Sequence, residues 1–122
     1  MNRRELIEKL VAVTVLSPYS YIYVAILLGS LEESKIFHNE FEKVLEEVPE
    51  MWIPSVIKIN TIRLIEYDYN RIYFFNTPCC GRGHTLSMAY MDNNLSIKLK
   101  EEYYKTITPA LHHTRIIEFE NK

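Results

Sequence analysis

From Leu10 to Leu31 the chain carries no charged residue. The first part, Leu10–Leu16 (LVAVTVL), is continuously apolar and mostly β-branched, which predicts a strand buried on both faces of a parallel sheet. Ser17 followed by Pro18 has the chemistry of a helix start, with a capping hydroxyl and a first position that needs no N–H. A helix is therefore expected from there to about Ser30, with Val24–Leu28 inside it. Residues 2–9 are more polar and predict a short helix. Further on, Phe37, Phe41, Val44, Leu45 and Val48 fall at i, i+4, i+7, i+8 and i+11. That is one stripe of an amphipathic helix, with Glu40, Glu42, Lys43, Glu46 and Glu47 facing away and Pro49 ending it. Gly29 and Ser30 mark the break between the two helical stretches.

The second half reads as strands. Val56–Asn60 and Ile62–Tyr67 alternate apolar and polar positions, Tyr67-Asp68-Tyr69-Asn70 has turn chemistry, and Arg71–Asn76 (RIYFFN) is a further strand. Residues 62–76 should form an antiparallel hairpin. Thr77–Thr85 is a loop with Pro, two Cys and two Gly. Leu86–Met91 is an apolar run that ends at Asp92. Residues 97–107 have helical spacing, with Pro109 near their end, and Arg115–Glu120 (RIIEFE) is a last strand. Strands alternating with crossover helices predict an α/β fold: a parallel core sheet with an antiparallel hairpin and flanking helices.

The 122 residues suit one domain spanning 1–122. Three Gly and five Pro argue against disorder, and nine Tyr and five Phe favour a sheet-rich fold. A formal charge of −2 and a pI near 6.1 disfavour a domain that binds nucleic acid strongly by itself, since such domains neutralise phosphates with excess basic residues. Cys79 and Cys80 are adjacent, a poor geometry for a disulfide, so a reducing compartment such as the cytoplasm is expected. The uncharged stretch 10–31 is long enough for a membrane anchor. Ser17-Pro18-Tyr19-Ser20 interrupts it, which favours strand and helix over a span; a small membrane-anchored protein remains an alternative reading.

Three groups of residues could carry chemistry. Pro78-Cys-Cys-Gly-Arg-Gly-His-Thr85 has the outline of G-x-x-x-x-G-K-[ST], but Pro78 replaces the first Gly and His84 the Lys. A largely neutral His does not supply the fixed charge that holds the β- and γ-phosphates, so the segment reads as a connecting loop. Cys79, Cys80, His84, His112 and His113 include metal-ligating types, yet adjacent cysteines violate the usual C-x₂₋₄-C spacing, and no metal is expected. The strand Leu86–Met91 delivers Asp92 to its carboxyl end, where a carboxylate could hold Mg²⁺ beside a bound nucleotide. Asn93 follows it. An amide cannot polarise an attacking water as a carboxylate does.

In order and spacing, these pieces resemble the ATPase domain of the terminase large subunits of tailed phages. Val11-Ala-Val-Thr-Val-Leu-Ser17 resembles the strand after the P-loop helix. Glu46-Glu-Val-Pro-Glu-Met-Trp52 resembles the end of the following long helix. Ile62–Tyr67 with Asn70–Phe75 resembles the family's hairpin. Arg82-Gly-His-Thr-Leu-Ser-Met-Ala-Tyr-Met-Asp92 resembles its R-G-x-[ST] segment running into Walker B. Tyr104–Leu111 and Arg115–Phe119 resemble the next helix and strand.

The resemblance implies a partial P-loop-NTPase-like sheet. Asp92 would occupy the Walker B metal position, Arg82 and Gly83 the loop before it, and Asn93 the place of the catalytic Glu. The Walker A loop has no counterpart ahead of Val11, and neither the motif after the last strand nor a nuclease domain is found. The expectation is a truncated, catalytically inactive relative that acts by binding a protein partner or by self-association. It would need no cofactor of its own. The alternative is one part of a split packaging ATPase, with Mg²⁺ and ATP held only once another chain completes the site.

Overall fold

The computed structural model describes residues 1–15, 21–49, 57–61, 64–67, 69–78, 85–111 and 114–122. Helix α1 (Arg3–Leu10) opens with a capping box: the Asn2 side chain accepts from the Glu5 N–H while Glu5 accepts from the Asn2 N–H. The helix does not give way to a strand. It passes directly into a π-helical turn, Val11–Val15, where the Thr14 hydroxyl donates to the Leu10 carbonyl. The strand expected at Leu10–Leu16 is thus overturned as far as Val15. Leu6, Ile7, Leu10, Val11 and Thr14 are buried and Ala12 is exposed, a helical stripe rather than a strand's alternation.

The helix expected to run to Ser30 is overturned in turn. Strand β1 spans Tyr23–Leu27, with Val24 to Leu27 fully buried. It lies between two other strands with both faces covered, so its sequence is apolar throughout and shows no period. Ser17 and Pro18 lie outside the described residues.

Helix α2 (Leu31–Glu47) matches the amphipathic stripe: Phe37, Phe41 and Val44 are buried, with Leu45 and Val48 packed beside them. Ser30 caps it by accepting from the Glu33 N–H at 3.3 Å, and Glu32 and Glu33 in the first turn suit the helix dipole. Two glutamates of its polar side bind α1: Glu40 pairs with Arg3 at 3.4 Å, and Glu47 with Arg4.

The remaining strands are β2 (Ile57–Thr61), β3 (Leu64–Tyr67), β4 (Asn70–Phe75), β5 (Met88–Asp92) and β6 (Ile116–Phe119). Helix α3 (Ile97–Ile107) and a 3₁₀ turn at Thr108–Ala110 join β5 to β6. All six strands form one sheet in the order β2-β3-β4-β1-β5-β6. β4, β1, β5 and β6 are mutually parallel, and β2-β3-β4 is the antiparallel part, including the expected hairpin. The fold is therefore α/β with a mixed, mostly parallel sheet.

Alternate residues of β1 separate the two core layers. Val24 and Ile26 face α1 and α2 with Phe37, Phe41, Phe74, Tyr90 and Phe119. Ala25 and Leu27 face α3 with Ala89, Met91, Tyr103 and Ile107. The connections β1-α2-β2 and β5-α3-β6 run in opposite directions along the sheet. Crossovers of one hand then place their helices on opposite faces, as observed.

Candidate functional site

Neighbouring strands β1 and β5 send their chains to opposite faces of the sheet. A crevice at the carboxyl ends of such strands is where open α/β sheets bind ligands. Here that edge is made by Leu28–Ser30 after β1, Asp92–Leu95 after β5, and Glu120–Asn121 after β6. The first two loops touch: a Cβ on Gly29 would lie 3.0 Å from Leu95 Cδ2. Beneath them the buried Tyr103 hydroxyl lies 2.7 Å from the Leu28 carbonyl oxygen and 3.2 Å from that of Phe75, tying α3 to the ends of β1 and β4.

Asp92 stands at the end of β5, as expected from sequence, and is 5% exposed. Its Oδ1 accepts from the Asn94 N–H at 2.9 Å, an Asx turn that bends the chain away from the sheet. Its Oδ2 accepts from Asn121 Nδ2 at 3.1 Å. The same Nδ2 donates its second hydrogen to Glu33 Oε2 at 2.7 Å. One carboxamide therefore joins the first turn of α2, the end of β5 and the residue beyond β6. The surrounding charge fixes its orientation, because the reversed amide would turn an oxygen toward two carboxylates.

Two carboxylates face one neutral amide, and no Lys or Arg makes an ion pair with either among the described residues. Asp92 already accepts two hydrogen bonds that hold the fold. Asn93 continues the sheet ladder through its N–H to the Phe119 carbonyl at 2.9 Å, and its side chain is exposed.

Arg82, Gly83, Cys79, Cys80, His84, His112 and His113 lie outside the described residues. Among the described residues no group of three or more His, Cys, Asp or Glu could hold a metal ion. No described helix is long and apolar enough to cross a membrane.

Sequence reasoning did not find Glu33 or Asn121. Glu33 had a signal, since an acid in the first turn of a helix sits at the carboxyl edge of the preceding strand. Asn121 had none. Compared with known proteins, the chain matches no family model and no curated sequence.

Proposed function

We propose that this protein is a catalytically inactive, terminase-like ATPase fold of phage type that works by binding a protein partner. The partner would be a packaging motor, another phage protein or a host protein. The observation that carries the reading is the state of Asp92. At the position where a nucleotide-binding sheet presents its metal ligand, the carboxylate is occupied by Asn94 and Asn121, faces Glu33, and is followed by Asn93. The element order supports the comparison once its first strand is moved from Val11 to Tyr23–Leu27. Helix α1 then takes the place of the P-loop helix, and α2, the hairpin, β5, α3 and β6 follow in the family's order.

One observation favours the split-enzyme alternative. Helix α1 begins at the ligand-binding edge, because Asn2 bridges Glu120 in parallel register just beyond β6. A P-loop supplied by another chain would need its helix to start there.

A pull-down with the tagged chain from phage-infected cells tests the reading. We expect one phage or host protein in stoichiometric amount and no ATPase activity in the eluate. Recovery of the chain alone would refute partner binding. ATP turnover by a complex containing a P-loop subunit would favour the split enzyme.

A further inference from the structure

β6 is the last strand on its side of the sheet, and no described strand pairs with its outer edge beyond the bridge of Asn2 to Glu120. In a parallel strand, alternate residues turn both backbone groups toward the same neighbour. The Phe119 carbonyl accepts from Asn93 on the β5 side. Glu120 N–H donates the other way, to the Met1 carbonyl at 2.8 Å. Glu118 and Ile116 share the phase of Glu120, so their N–H and C=O groups point outward beyond β6.

β6 is short, four residues, but it contains no proline and its pairing with β5 runs without a bulge. Its one charged side chain, Glu118, is drawn to Lys100 of α3 at 2.7 Å, on the face away from α1. On the α1 face, beside the edge, lies a groove of about 590 Å³ lined by Lys9, Met88, Tyr90, Arg115 and Ile117 among others. Ile117 is 45% exposed. The charge of this groove opposes that of the molecule: Lys9 and Arg115 line it, no carboxylate does among the described residues, and the whole chain carries −2.

We propose that the β6 edge receives an extended segment of a second polypeptide as an added strand. Its apolar side chains enter the groove at alternate positions, and an acidic residue meets Lys9 and Arg115. This rests on the partner-binding reading and says where and what the partner is. Backbone pairing at Ile116 and Glu118 supplies affinity, while the groove and its two cations supply selectivity. A second copy of this chain is the poorer occupant. Two β6 edges related by a twofold axis would bring two sets of Lys9 and Arg115 to one seam. Met1 also stands against the edge at Glu120.

The probe is a fluorescein-labelled peptide, Thr-Val-Glu-Val-Thr-Val-Thr, and its counterpart with Lys in place of Glu. We expect saturable binding of the Glu peptide by anisotropy, with slowed amide exchange at Ile116 and Glu118. The Lys peptide should bind roughly tenfold more weakly, as expected for loss of a charge-assisted contact. Glu118→Pro removes an outward N–H and should abolish binding. Lys9→Glu with Arg115→Glu leaves the edge intact and should reverse the preference between the two peptides, an outcome that impaired folding cannot mimic. Unprotected amides at Ile116 and Glu118, or equal binding of both peptides by the reversed variant, would overturn the proposal. So would concentration-dependent protection without peptide, which identifies a second copy. A natural partner captured equally by wild type and Glu118→Pro would also overturn it while leaving partner binding intact; capture of no partner would defeat the broader reading.

Discussion

Asn121 is one amide between two carboxylates, and its replacement tests what the carboxyl edge is for. Asn121→Ala removes the donor that Asp92 and Glu33 share. It should lower stability by about 1.5–3 kcal/mol, the range for hydrogen bonds to charged groups. Asn121→Asp should cost more, because a third negative charge then stands between two. Urea unfolding of the two variants checks both the size and the order, and unchanged midpoints would show that the contacts do not hold the edge together. The same reasoning covers Asn93. Asn93→Glu should give no ATPase activity in a phosphate-release assay, since a general base is useless where no Lys neutralises the phosphates. Turnover in that variant would place the nucleotide site elsewhere.

Among the elements, legibility followed how each is buried. Helices α2 and α3 and the hairpin each keep a polar side, so their periods survive in the sequence and their expected bounds nearly match the observed ones, as do those of β6. The short polar helix expected at 2–9 is α1, but the residues from Leu10 to Ser30 lack that contrast. β1 is covered on both faces, so YVAIL carries no alternation. The run after Leu10 is β-branched and strand-like alone, yet its buried positions continue the stripe begun by Leu6 and Ile7. Intrinsic propensity yielded to packing. At the site, Asp92 was readable because a strand leads straight to it. The Asn121 contact joins residues 88 and 29 positions apart, beyond any local signal.

Ser30 separates the two readings of this region. As the end of a helix it would matter little, whereas as the N-cap of α2 it satisfies the Glu33 N–H. Ser30→Ala should therefore cost about 1 kcal/mol in thermal or urea unfolding, and Ser30→Asp should be close to neutral. Equal loss in both variants would contradict the cap. Phe37→Ala, in the core beneath α2 where the ring packs edge-on against Phe74 and Phe119, should cost about 3–5 kcal/mol.

At the scale of the whole molecule, the mixed sheet ends at β6, where among the described residues Met1 and Asn2 meet the outer side at Glu120. At its carboxyl edge, Asp92 and Glu33 share the Asn121 amide. On the proposed reading, the molecule works by contact with another polypeptide and not by nucleotide chemistry. Isothermal calorimetry of the purified chain with ATP and Mg²⁺ tests this most directly. We predict no binding heat up to millimolar nucleotide. Saturable binding with a micromolar Kd would contradict the account.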